Sequence, residues 1–361
     1  MAAHSIVNGV WGESVMAKNV LVTIWERNTK ETQCRLSDDQ TLQVKIQNRM
    51  ACIEGMIGQA EKTWPSYHSW LESLPNQAGL SPADFDLHLF VAPEYLFAKS
   101  APRPYINEMD KEIVRACSTA LASSNSKLIL IPGTVLWAKS MIRPEGRKFR
   151  RGTEEEKTTP RDFSKHREPT DFGLRFAPQS AQRQYQKYRN QVFNAIDQWT
   201  LEDPSPERHM ARNTAFVCMG DQVVTQHKRF ENIGLYGLEE PDNQSDWTDL
   251  IFVPGTSAPI PLKEGLRLGL EICAEHACKP ALMFSGGGLD FHVLISASIE
   301  VNPAAVAAKR GGYVIHADSS GATVYEVGAG KALSTVGCSY QVDVYDSGAP
   351  AGTAKTYMCM V

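Results

Sequence analysis

Apolar residues recur along this chain with two distinct periods. NVLVTIW (19–25) is rich in β-branched residues and predicts a short strand. Ser37-Asp38-Asp39-Gln40 then fits a capping box. Leu42, Ile46, Met50, Ile53, Ile57, Ala60 and Trp64 follow at helical spacing, predicting a core-facing helix that ends at Pro65. FDLHLFVAPEY (85–95) predicts a strand stopping at Pro93, residues 105–123 a helix, and KLILIPGTVLW (127–137) another strand. The order β-α-β-α-β predicts a layered α/β domain.

This pattern breaks between about 138 and 212. RPEGRKFRRGTEEEKTTPRDFSKHREP interleaves basic and acidic residues, and a polar, helix-like YQKYRNQVFNAIDQW follows. The segment is an insertion, either a solvated loop or a lid that recognises a large or acidic substrate. Strands resume with NTAFVCMG and QVVTQHKRF, which a Gly-Asp turn joins as a hairpin. Further strands are expected at DLIFVPGT, LRLGLEIC, FHVLISAS, YVIHADS, TVYEV and a final pair near 334–345. Helices are expected at HACKPALMF and from Pro303 to Arg310. With no internal repeat, residues 1–361 are expected to form a single domain interrupted once.

Composition narrows the function classes. With 361 residues, 42% hydrophobic and 22% charged, the chain has the make-up of an ordinary globular domain. A net charge of −4 leaves no global footprint for nucleic acid. No apolar run approaches the roughly 18 residues that span a bilayer, so neither nucleic acid nor membrane is expected as a partner. The eight cysteines show no repeated spacing, and MAAHSIVNGVWGES lacks a basic stretch followed by an apolar core. A reducing, cytoplasmic location is expected; delivery to another cell by a secretion machine would leave no mark on this pattern.

Three strand ends deliver reactive groups: Glu94 after LHLFVAP, Lys228 after QVVTQH, and Cys273 after LRLGLEI. A thiol with an ordinary pKa near 8.5 needs a base to accept its proton or a cation to favour the thiolate. A carboxylate and an ammonium are the right types for those two tasks. Taken singly, each also has a plain structural explanation: a solvated strand-end charge, a surface lysine, a buried inert thiol.

The surrounding motifs resemble the nitrilase (carbon–nitrogen hydrolase) superfamily. LHLFVAPEY is similar to its strand ending in Pro-Glu, QHKRF to its Lys motif, and LGLEICAEH to its Cys motif. VPG (253–255) and AAKRGGYVIHADSSG (307–321) fit in the same order. The resemblance implies a four-layer α-β-β-α sandwich, commonly dimerised through the helix after the nucleophile, here HACKPALM. It implies Glu94 as general base, Lys228 as oxyanion stabiliser and Cys273 as nucleophile. A further glutamate often assists in this family, for which Glu231, Glu239 and Glu240 are available, the last two at the better distance. Ala274 stands where an aromatic residue is common and is expected to shape the substrate pocket. The implied substrate is a small-molecule amide or a nitrile, or else an amide on a peptide or protein, and the chemistry requires neither cofactor nor metal.

Other readings compete. Cys273, His276 and Cys278 suggest zinc but lack a fourth ligand at any familiar spacing. Cys273 with His316 would make a Cys–His hydrolase or a deamidase of protein side chains. FSGGGLD (284–290) has glycines but no phosphate-loop lysine. A catalytically inactive binding module on the same fold is the contrasting class.

Overall fold

The computed structural model describes residues 18–30, 36, 42–72, 85–100, 104–140, 209–228, 250–252, 255, 258–277 and 288–361. Two β-sheets are stacked face to face. The first is built around three parallel strands, β1 (Asn19–Glu26), β2 (Leu87–Val91) and β3 (Leu128–Ile131). β5 (His209–Met219) joins β3 antiparallel, β4 (Thr134–Ser140) and β6 (Gln222–His227) pair antiparallel with β5, and β7 (Leu250–Phe252) pairs with it in parallel. The second sheet repeats the plan. After β8 (Ile260–Pro261), β9 (Arg267–Ile272), β10 (Leu289–Ile295) and β11 (Ala308–Ala317) run parallel, and β12 (Thr323–Val327) and β13 (Leu333–Thr335) add antiparallel strands.

Alternation along the strands decides which face each sheet buries. Val20, Val22, Ile24, Leu87, Leu89 and Val91 point inward and meet Leu268, Leu270, Ile272, Phe291, Val293 and Ile295 of the second sheet in one buried cluster. The opposite face of the first sheet, with Trp25, Phe90, Leu128 and Leu130, packs against the helices α1 (Leu42–Glu72) and α2 (Glu108–Ser124). Asn107 caps α2, its side chain accepting a hydrogen bond from the Asp110 N–H at 2.8 Å. The expected α/β sandwich is therefore present. Over the outer face of the second sheet the described residues place only the one-turn α3 (Ala274–Ala277) and a 3-10 turn at Pro303–Ala305. The remainder of HACKPALMF, and with it the expected dimer element, lies outside the described residues.

Several local expectations are corrected. The apolar positions of α1 are buried as their spacing predicts, but the helix runs through Pro65 to Glu72. An interior proline removes one hydrogen bond at a cost of about 3 kcal/mol, and Ser66–Glu72 contains no second breaker to end the helix. The proposed capping box at 37–40 lies outside the described residues. No helix covers Pro303–Arg310: Asn302 and Pro303 start a single 3-10 turn, and from Ala308 the chain joins β10 as a parallel strand. The strand pair expected near 334–345 is two strands of different sheets, β13 beside β12 in the second sheet and β14 (Tyr340–Asp346) in the first. An unexpected twelve-residue strand, β15 (Ala349–Met360), inserts between β14 and β1. Its APAGTAKT start is small and polar, which hid it from an apolar-run search.

The insertion is narrower than its composition suggests. β4 continues to Ser140 and β5 begins at His209, and these two residues are paired across the ladder. Residues 141–208 therefore leave and re-enter at facing ends of one antiparallel pair; their own arrangement lies outside the described residues. Replacing 141–208 by a two-residue Asn-Gly turn should shift the thermal midpoint by less than about 4 °C, a change of about 1 kcal/mol in a domain this large. Differential scanning calorimetry of the shortened chain checks this.

Candidate active site

The carboxyl ends of β2 and β9, with the chain that follows β6, converge at one end of the sandwich, where open α/β sheets place their ligand sites. After β2 the chain turns at Pro93-Glu94-Tyr95. Gly133, at φ +88°, makes this possible from behind, because a Cβ there would lie 2.4 Å from the Pro93 carbonyl oxygen. The Tyr95 N–H donates to Thr134 Oγ1 at 2.9 Å and fixes Tyr95 in the left-handed region at φ 61°. The Glu94 side chain is thereby delivered, wholly buried, between the sheets.

Lys228 follows β6 and is equally buried. Its N–H donates to the Asn213 carbonyl at 2.8 Å, and its own carbonyl accepts from the Gly255 N–H at 3.0 Å. A Cβ at Gly255 would meet His227 at 2.4 Å, so the close approach of this loop requires glycine in VPG. The Lys228 Nζ donates to Glu94 Oε1 at 2.9 Å, and Asn213 Nδ2 donates to the same oxygen at 2.9 Å. The ammonium also lies 5.9 Å from the centre of the Tyr95 ring. Removing one member of such a pair leaves an uncompensated buried charge, typically at a cost of about 3–5 kcal/mol.

Cys273 stands at the turn from β9 into α3, nearly buried, with φ 50°. A non-glycine residue in that region is strained, and such strain concentrates at functional turns. The Cys273 N–H donates to the Ile295 carbonyl at 2.8 Å, and the Glu94 N–H reaches the carbonyl of the next residue, Ser296, at 3.4 Å. The thiol-bearing and carboxylate-bearing backbones are thus anchored to consecutive residues at the end of β10. Ala274 opens α3 and is buried. Glu231, Glu239, Glu240 and Cys278 lie outside the described residues, as do residues 284–287 of FSGGGLD.

His316 is engaged elsewhere. Its Nε2 lies 2.9 Å from Ser296 Oγ, whose hydroxyl donates to Asp318 Oδ2 at 2.6 Å, and the ring also makes a backbone hydrogen bond at Ile299. Burial lowers its pKa against the opposing charge of Asp318. Nε2 is thus engaged with the Ser296–Asp318 group.

Glu271, His276 and His292 form a second buried cluster, with ligand-type atoms within 4.8 Å of one another. The donor pattern argues against a metal. His276 Nε2 accepts the Asn302 N–H at 2.9 Å, so its proton is on Nδ1, which donates to Glu271 Oε2 at 2.6 Å. His292 Nδ1 likewise accepts the Ala307 N–H at 3.3 Å, and its Nε2 lies 3.0 Å from the same carboxylate oxygen. Metallating Nδ1 of His276 would move the proton onto Nε2, against the Asn302 N–H. The same displacement would occur at His292. His276 and Glu271 are therefore matched as hydrogen-bond partners, whereas His292 Nε2, though 3.0 Å from the carboxylate, completes no hydrogen bond among the described residues; the zinc reading loses His276.

Asn213, Ser296, Tyr95, Glu271 and His292 were not singled out by sequence reasoning, and His276 was considered only as a zinc ligand. For three of them a signal exists: Glu271 in LRLGLEI, His292 in FHVLI and Asn213 in NTAFV are polar residues inside runs that otherwise read as buried strand.

No family model matches this chain, and no curated protein does. Among solved structures, the amidase of Nesterenkonia sp. AN1, as a mutant carrying acrylamide added to its active-site cysteine, aligns at 13% identity over 94% of this chain and 92% of that one, with a TM-score of 0.41. The CN-hydrolase superfamily protein XC1258 of Xanthomonas campestris aligns at 11% identity over 95% and 90%, with a TM-score of 0.36. A carbon–nitrogen hydrolase of Helicobacter pylori G27 aligns at 12% identity over 94% and 88%, with a TM-score of 0.40.

The Glu271 carboxyl is fully buried. Burial alone would raise its pKa, but His292 and His276 outweigh that and bring it from the ordinary 4.5 to about 2. Because the folded value lies below the unfolded one, this stabilisation is complete above about pH 4.5 and is lost as pH falls toward 2. Urea unfolding between pH 5 and 2 should show a steeper loss for the wild type than for Glu271→Gln. Equal slopes would mean that the carboxyl is not ionised in the folded chain.

Proposed function

We propose that this chain is a thiol-dependent hydrolase of carbon–nitrogen bonds, acting as an amidase with Cys273 as nucleophile, Glu94 as general acid–base and Lys228 as the cation at the developing oxyanion. The observation that carries the reading is the wholly buried Glu94–Lys228 pair together with a strained cysteine, the backbones of Glu94 and Cys273 being anchored to the consecutive residues Ser296 and Ile295. A buried ion pair adds little stability over a packed apolar pair, so its presence points toward chemistry. Motif order supports the same three residues.

In the amidase cycle the Cys273 thiol gives its proton to Glu94 as sulfur bonds to the amide carbonyl carbon. The carbonyl oxygen becomes negative and is met by the Lys228 ammonium. Collapse of the tetrahedral intermediate breaks the C–N bond, and Glu94 returns the proton to the departing amine or ammonia. Water, deprotonated by the same carboxylate, then attacks the thioester and releases the acid and the thiol. The Asn213 amide keeps the carboxylate aimed throughout.

Exposure to candidate amides followed by intact-mass measurement should reveal an acyl adduct on Cys273. Cys273→Ser should keep the fold and lose turnover. Lys228→Met should slow single-turnover acylation by about 100- to 1000-fold, the usual cost of losing one preorganised oxyanion donor. His316→Ala, compared at matched folded fraction, should retain acylation. A near-normal rate for Lys228→Met would overturn the assignment, and adducts formed from nitriles alone would exclude the amidase reading.

A further inference from the structure

The left-handed backbone of Cys273 is costly for a residue with a Cβ, and its neighbours must hold it there. Two hydrogen bonds cross the turn from one side of Cys273 to the other. The Ile272 N–H donates to Glu275 Oε2 at 2.8 Å, and His276 Nδ1 donates to Glu271 Oε2 at 2.6 Å. A third closes the turn itself, from the His276 N–H to the Cys273 carbonyl at 2.9 Å. The His276 ring is then pinned from behind by the Asn302 N–H, while Asn302 Oδ1 caps the following 3-10 turn at Ala304. His292 approaches the same Glu271 oxygen from β10, which also supplies the carbonyl that anchors Cys273.

Stability alone does not call for this arrangement. Apolar side chains at these three positions would fill the space without desolvating a carboxylate, and such replacements are often neutral or stabilising. Glu271 Oε1 is buried with no hydrogen-bond partner among the described residues, a further cost that packing does not require. What the carboxylate provides is direction, because it fixes the two sides of one turn at a hydrogen-bonding distance.

We propose that Glu271 and His276 form a positioning clamp across Cys273, with the His292 ring of β10 packed against His276, so that the thiol is held in its left-handed, reaction-ready placement. The proposal rests on the reading of Cys273 as nucleophile. Neither Glu271 nor His276 touches substrate; both act through the backbone of the turn.

Two substitutions of His276 separate the ring's two contacts. Asn places its Nδ2 near the position of the ring Nδ1 and can still donate to Glu271, whereas Gln reaches the Asn302 N–H and gives up Glu271. The probe is iodoacetamide, with alkylation of the Cys273 peptide followed by mass mapping from pH 6 to 9, alongside amide turnover, all at matched folded fraction. His276→Gln should alkylate about 100-fold more slowly at pH 7, the scale of loss from a misplaced reacting group. Its profile should move toward that of a free thiol, and kcat should fall more than KM rises. His276→Asn should recover at least about tenfold over His276→Gln. Equal losses in both variants would overturn the clamp. In the wild type, ¹⁵N spectra should show His276 as the Nδ1–H tautomer, and the Nε2–H tautomer would overturn the clamp even if His276→Gln failed to fold. Turnover surviving Cys273→Ala would instead remove the nucleophile, and the clamp with it.

Discussion

A carboxylate and an ammonium 2.9 Å apart and fully out of water set the terms for the rest of the site. Neither charge is tolerable alone in that position, so whatever brings one must bring the other. The two arrive from different parts of the first sheet, Glu94 beyond β2 and Lys228 beyond β6. The second sheet supplies the floor, through the two carbonyls at the end of β10 that receive the Glu94 and Cys273 amides. Val, Leu and Ile side chains pack face to face between the same two sheets.

Much of this was legible in the sequence because its signals are local. The parallel strands stand out as apolar runs, and each of the three reactive residues follows such a run directly. Less legible was anything set by partners distant in the chain. Asn213 looks like an ordinary strand residue until Lys228 and Glu94 are beside it, and Glu271 reads as a lapse in an apolar strand until His276 and His292 close over it. β15 escaped for a related reason: a strand of small and polar residues is defined by its neighbours β1 and β14, and composition carries no trace of them. Pro303–Arg310 misled in the opposite way. Its start is a true helix-start signal, but β10 recruits the chain after one turn.

The site also shows where this fold concentrates strain. Tyr95 and Cys273, two of the four non-glycine residues with positive φ among those described, occupy the two turns that carry the candidate base and nucleophile. Each is restrained by bonds to its surroundings, Tyr95 by the hydroxyl of Thr134 and Cys273 by β10 and the flanking side chains. Rigid strands thus end in strained turns, and side chains at such turns have little freedom to drift.

The pairing of β15 with every residue of β1 has a temporal side. Thr23 and Thr356, whose hydroxyls lie 3.3 Å apart, are separated by 333 positions in the chain. At ribosomal speeds of about 5–20 residues per second, β1 waits roughly 17 to 67 s for that neighbour. Throughout the wait one flank of β1 is an unpaired row of amides and carbonyls, the kind of edge that invites other chains. The nascent protein therefore crosses a long interval with the β1 edge of its first sheet open.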